Sequence, residues 1–198
     1  MCFSLSAQKI IDLSGKWSFS IDRQDNGEKE KWFSHTLNDC INLPGSMPEK
    51  LKGDEVTAKT QWTGSLYDSS YYYNPYMEKY RKEGNIKFPF FLTPDKHYVG
   101  AAWYQKEVNI PADWKGERIL LFLERPHIET TVWVNGQKTG MQNSLCVPHQ
   151  YDITRYVRPG KCTITIRVDN RIKEINVGPD SHSITDQTQG NWNGRSEE

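Results

Sequence analysis

The sequence predicts an all-β protein built as an antiparallel sandwich, and three observations carry that prediction. Short stretches of alternating apolar and polar residues recur along the chain, the period of a strand buried on one face. Asn135-Gly136 lies between two such stretches, and both residue types tolerate the positive φ of a two-residue hairpin turn. No amphipathic helical pattern exceeds about three turns.

From Leu13 to Asp22, Trp17, Phe19 and Ile21 alternate with Lys16, Ser18 and Ser20, a half-buried strand. Asp25 to Lys31 is polar and charged, a loop or a short helical turn. Cys40 to Leu43 is a second short strand, closed by Pro44, which withdraws a ladder donor, and Gly45, which permits the turn. Ser46 to Val99 has weak periodicity, many turn residues and a tyrosine cluster from Tyr67 to Tyr80. Such a segment is expected to be an insertion packed on its own aromatics against one edge of the sandwich, with a short helical stretch at Tyr76 to Glu83. Strands resume at Ala102 to Ile110, where Tyr104, Val108 and Ile110 share a face, and Pro111 to Gly116 is a turn. Arg118 to Leu123 reads as a central strand covered on both faces, because its apolar run is unbroken. Ile128 to Val134 and Gln137 to Met141 form the hairpin. Asp152 to Tyr156 reads as one helical turn. Lys161 to Asp169 is a strand whose Cys162, Ile164, Ile166 and Val168 point inward. Trp17, Phe19, Leu121, Val132, Val134, Ile164 and Ile166 are expected in the core.

The length, 198 residues, fits one domain with a large insertion. Hydrophobic residues make up 36%, and 10 Tyr, 7 Trp and 7 Phe supply core volume that aliphatic residues do not. With 25 basic and 25 acidic residues and no block of one sign, the chain lacks the basic stripe of a nucleic-acid binder. No apolar run nears the ~20 residues of a membrane span. Cys2, Cys40, Cys146 and Cys162 include no C-x-x-C pair, which argues against zinc, while a Cys40–Cys146 disulfide stays open. The five histidines are scattered without metal-ligand spacing, and neither a phosphate loop nor a G-x-S-x-G elbow is present. A structural calcium ion held by loop oxygens stays open, although there is no EF-hand pattern. No cofactor or metal is therefore expected.

Several segments together resemble one family. Leu13-Ser-Gly-Lys-Trp17 resembles its opening strand, Leu43-Pro-Gly45 its second strand and turn, and Ala102-Trp-Tyr-Gln-Lys106 a segment ending in a Trp-Tyr pair. Val132-Trp-Val-Asn-Gly136 resembles its V-x-V-N-G hairpin, and Pro148 to Thr154 its F-x-x-D-I-T turn. Asp186 to Gly194 resembles the loop that reaches the mouth of the catalytic barrel. The family is the N-terminal sugar-binding domain of family 2 glycoside hydrolases, the β-galactosidase and β-glucuronidase group. The tyrosine-rich insertion resembles β-galactosidase-like members from gut Bacteroidetes. The resemblance implies a jelly-roll, galactose-binding-domain-like sandwich over residues 13–194, with the insertion at 46–99 and a C-terminal tail at 195–198. Residues 1–12 form an N-terminal tail in which Ser4-Leu-Ser-Ala7, followed by Gln8, resembles the end of a secretory signal. Export, to the periplasm, is expected.

In such enzymes an immunoglobulin-like domain and a (β/α)₈ barrel follow the sandwich. Two barrel glutamates ~5 Å apart perform retaining hydrolysis. The resemblance therefore implies a non-catalytic accessory domain whose parent is an O-glycosyl hydrolase acting on β-galactosides or related β-glycosides. Glu124 and Glu129, in or beside strands, read as solvated or ion-paired edge residues. The implied substrate-binding residues fall in two loops. One comprises Asp95, His97 and Tyr98; the other comprises Asp186, Gln187, Thr188, Asn191, Trp192 and Asn193. Thr188, or Asp186 in a shifted register, stands where the β-galactosidases carry a sugar-binding aspartate. Members also continue past the Asn-Gly with an apolar closing strand, where this chain has Arg195-Ser-Glu-Glu198. An open edge and a homodimer are expected from that difference. A stand-alone carbohydrate-binding module and a purely structural interaction sandwich are the alternatives.

Overall fold

Alternation along the chain produces strands whose apolar faces meet in one core. The computed structural model describes residues 9–57, 59–60, 70–87, 95–144, 147–171, 175–178 and 181–183. Its strands, in chain order, are β1 (Gly15–Asp22), β2 (Asp39–Leu43), β3 (Asp54–Glu55), β4 (Lys96–His97), β5 (Ala101–Ile110) and β6 (Leu120–Leu123). Then come β7 (Glu129–Val134), β8 (Gln137–Asn143), β9 (His149–Asp152), β10 (Gly160–Asp169), β11 (Ile175–Gly178) and β12 (Ser181–Ser183). Helical structure among the described residues is confined to short turns, the longest being the 3₁₀ segment Pro75–Tyr80. No helix there is long and apolar enough to cross a membrane.

The main sheet is antiparallel and runs β2-β1-β5-β10-β7-β8. β6 and β9 form a two-stranded sheet on the other side of the core, while β3–β4 and β11–β12 are separate pairs. The protein is thus an all-β antiparallel sandwich. Trp17, Phe19, Tyr104, Val132, Val134, Ile164 and Ile166 of the main sheet pack with Leu121 and Tyr151 of the small one. All seven residues expected in the core are buried. Burying side chains of this size contributes roughly 1.5–3 kcal/mol each, which is why the register cannot slip by one residue.

The main sheet is also covered in part on its outer face. Trp103 and Trp133, which alternate with core residues on β5 and β7, stack with centroids 4.9 Å apart. Phe33 lies parallel to Trp133 at 5.1 Å, and Leu37 completes this second apolar cluster.

One strand reads differently from its sequence. β6 is not a central strand: Leu121 is buried, but Leu120 is 45% and Phe122 is 54% exposed. Among the described residues β6 pairs only with β9. An unbroken apolar run records composition, not position; here alternate residues face outward, and β5, β10 and β7 hold the sheet centre. The tyrosine-rich segment forms a helical turn at Ser70–Tyr73 and the 3₁₀ segment Pro75–Tyr80. Asn74 Oδ1 caps that segment by accepting from the Tyr76 amide at 2.9 Å. Met1 to Gln8, Tyr67, Cys146 and Arg195 to Glu198 lie outside the described residues.

Candidate functional site

Antiparallel register brings four strand termini to one end of the main sheet. Asp22 at the end of β1 lies opposite Ala101 at the start of β5; Ala101 lies opposite Asp169 at the end of β10; Asp169 lies opposite Glu129 at the start of β7. At this end the Asp22 carboxylate accepts from the amides of Asn26 and Gly27, each at 2.9 Å, and from the Trp103 indole at 2.9 Å. It so folds residues 22–27 into a turn against the sheet. Gly27 is required there, because a Cβ would stand 2.5 Å from Trp103 Nε1 and 2.7 Å from the Asp22 carboxylate.

Asn170, next after β10, joins this end to the segment before β5. Its Oδ1 accepts from the Gly100 amide at 2.7 Å and its Nδ2 donates to the Tyr98 carbonyl at 2.9 Å. The Tyr98 hydroxyl donates to the Ala101 carbonyl at 3.1 Å, and the Arg23 guanidinium lies 5.9 Å from its ring centroid. Burial is the main cause that pushes the Tyr98 phenol up to about 12, so it stays protonated.

Charge is concentrated around β10. The Asp169 carboxylate is fully buried and accepts from the Arg171 side chain at 2.8 and 2.6 Å, the Arg171 amide at 3.1 Å and Arg167 at 3.1 Å. Asp25 accepts from Arg167 at 2.6 Å and from Arg171 at 2.7 Å. Glu129 faces Arg167 at 3.6 Å and is ion-paired, but it is not the edge residue expected: it is buried at the start of β7, which has β10 on one side and β8 on the other. Burial alone would raise the Asp169 carboxyl, but the hydrogen bonds and charge of Arg171, with the charge of Arg167, outweigh it and hold Asp169 below the usual carboxylate value. Asp25 is lowered in the same way: burial opposes, and the bonds from Arg167 and Arg171 prevail.

Two adjoining grooves open at this end. The first, about 450 Å³, is walled by Arg23, Asp54, His97, Tyr98, Gly100 and Arg171, among others. Arg23 forms an ion pair with Asp54, and Lys96 one with Glu55, across the β3–β4 pair. The second, about 660 Å³, runs along the outer sheet face over β7, β8 and β10, and Asp25 and Arg171 line both. Among the described residues, no group of three His, Cys, Asp or Glu side chains could hold a metal ion.

Of the expected site residues, Asp95 is exposed, His97 is half-buried in the first groove, and Tyr98 is buried beneath it. Tyr98 therefore shapes the groove floor, with its hydroxyl committed to Ala101. Asp186, Gln187, Thr188, Asn191, Trp192 and Asn193 lie outside the described residues. The sequence reading did not single out Asp25, Arg167, Asp169, Asn170 or Arg171. Arg167 and Asp169 occupy the outward positions of an alternating strand, which ordinarily face water. The clue was on the same face of the neighbouring strands, where Trp103 and Trp133 announce that it is covered.

The family model described as "Glycosyl hydrolases family 2, sugar binding domain" matches residues 10–196. A β-glucuronidase from Paenibacillus borealis is 27% identical over 164 residues, 82% of this chain and 21% of that protein. A β-galactosidase from Thermoanaerobacter pseudethanolicus is 26% identical over 102 residues, 50% of this chain and 14% of that protein. Among solved structures, a β-glucuronidase from Ruminococcus gnavus in complex with D-glucuronic acid superposes with a TM-score of 0.53 at 20% identity, over 82% of this chain and 22% of that one. That likeness is one of fold. The chain spans about a fifth of the length of the first two β-glucuronidases compared, 21% and 22%.

Proposed function

Because the chain belongs to the sugar-binding domains of the family 2 glycosyl hydrolases, we propose that it is a non-catalytic accessory domain that contributes its sheet end to the substrate pocket of a β-glycosidase. The substrates of that enzyme are β-galactosides or related β-glycosides, β-glucuronides among them. The observation that carries the reading is the first groove. Asn170, next after β10, holds the Tyr98–Gly100 segment there. Polar groups on a braced floor suit sugar hydroxyls, whose hydrogen bonds need donors and acceptors fixed in advance. His97 and Arg23 line the groove and reach the ligand in this reading, with Tyr98 beneath them.

The test is titration of the purified chain with methyl β-galactoside and methyl β-glucuronide, beside an assay on the aryl glycosides. An accessory domain hydrolyses nothing and scarcely binds a single sugar by itself. Turnover clearly above background overturns the non-catalytic reading. Micromolar to millimolar binding of the monosaccharides favours a stand-alone carbohydrate module instead. Assembly is a second part of the proposal: the exposed Leu120 and Phe122 on β6 support a homodimer.

A further inference from the structure

The second groove has a different character from the first. It is walled by residues of β7, β8 and β10, by Asp25 and Glu28 after β1, and by Arg171 after β10. Its volume, about 660 Å³, lies within the ~300–1,000 Å³ of small-molecule clefts.

Four carboxylates, Asp25, Glu28, Glu129 and Asp169, face three cations, Lys138, Arg167 and Arg171, and the groups are bound to one another. Arg167 and Arg171 are tied to Asp25 and Asp169, and Glu129 faces Arg167. At the far side Lys138 pairs with Glu28 at 2.8 Å. An anion entering here would meet an excess of carboxylate, and an isolated cation would have to share a carboxylate already bound to an arginine or lysine. A neutral ligand that both donates and accepts hydrogen bonds meets no such penalty. It can bond to carboxylate oxygens and to ammonium or guanidinium N–H groups while leaving each pair in place. Beside the polar groups stands Met141, 54% exposed and directly opposite Thr131 in the β7–β8 ladder. An unbranched thioether chain at the rim offers an apolar surface that adapts to a flat partner. Hydroxyls on the edge and an apolar C–H face are the two surfaces of a pyranose ring.

We propose that this outer-face groove is a second carbohydrate subsite, taking an uncharged sugar unit of the same glycan whose terminal unit enters the first groove. The proposal rests on the carbohydrate reading above. Asp25 and Arg171 line both grooves, so a glycan crosses from one to the other over that ion pair. The outer groove selects neutral units, whatever the charge of the terminal one.

The experiment is amide-resolved NMR titration of the 198-residue chain with methyl β-galactoside and with a neutral β-linked galactotriose. Galactotriose should shift the amides of Thr131, Lys138 and Met141 in a saturable way. Met141→Ala and Lys138→Ala, both at exposed positions, should each weaken that binding by roughly fivefold with the far-ultraviolet dichroism unchanged, the scale expected for one lost contact. Binding should change little with added salt, because no net charge is read. Shifts confined to Tyr98–Ala101, full affinity in both variants, or no shifts at all would overturn the second subsite. None of these results touches the accessory-domain reading, which turnover or micromolar to millimolar monosaccharide binding overturns. A steep loss of binding with salt would overturn the assignment to a neutral sugar.

Discussion

Asp169 holds the candidate site together because it is a buried charge bonded to two arginines. Asp169→Asn keeps the shape and removes the charge, so that among the described residues Asp25 and Glu129 are left to oppose Arg167 and Arg171. The expected loss is about 3–5 kcal/mol, the scale for breaking a buried pair from one side, read from urea unfolding. His149 makes a second prediction. Its ring is fully buried, with Nε2 donating to the Ser144 carbonyl at 3.1 Å and Nδ1 accepting from the Thr130 hydroxyl at 2.6 Å. Burial lowers its pKa, against the Ser144 contact, so the folded protein prefers the neutral ring. Its contribution is therefore full above the ordinary histidine value of ~6.5 and falls as pH drops from there towards the lower folded value, because the unfolded chain takes the proton first. His149→Phe should flatten that limb of the stability curve; an unchanged pH dependence would count against it. Neither residue stood out in the sequence. A histidine before an alternating pair and an aspartate ending a strand have no pattern of their own, and their partners come from other strands.

At the scale of the element, the Asn135-Gly136 hairpin was the plainest signal, and the structure shows why. Asn135 and Gly136 take φ of 51° and 77°, the left-handed pair of a two-residue turn. Asn135 does more than turn the chain. Its Oδ1 accepts from the Thr163 amide at 3.0 Å and its Nδ2 donates to the Tyr156 carbonyl at 3.1 Å, fastening the hairpin to β10 and to the turn beside it. Gly136 has nothing within 4 Å of where a Cβ would stand. Gly136→Ala therefore tests conformation alone and should cost roughly 1–2 kcal/mol, the penalty for an L side chain in that region. A midpoint equal to that of the parent chain would refute it. β1 and β10 were equally legible, since one face of each is core and the alternation is clean. β6 was not, because four apolar residues in a row fit a central strand as well as an edge.

At the scale of the molecule, the sandwich leaves one apolar strip open. Leu120 and Phe122 point away from the core on β6, and among the described residues that strand is hydrogen-bonded to β9 alone. An exposed edge with apolar side chains is a template for another strand. An antiparallel pairing of β6 with β6 of a second copy is self-complementary, because a two-fold axis sets the same residues against each other. The short length of β6 limits the affinity, so association should appear only as concentration rises. Light scattering at two concentrations should show the mass moving from 23.0 kDa towards twice that value. Phe122→Lys puts a charge at the centre of the strip and leaves Leu121 in the core, so it should hold the chain at the monomer mass at both concentrations. A parent chain that is monomeric throughout would remove the dimer, and a dimer that Phe122→Lys leaves intact would place the contact elsewhere on the surface.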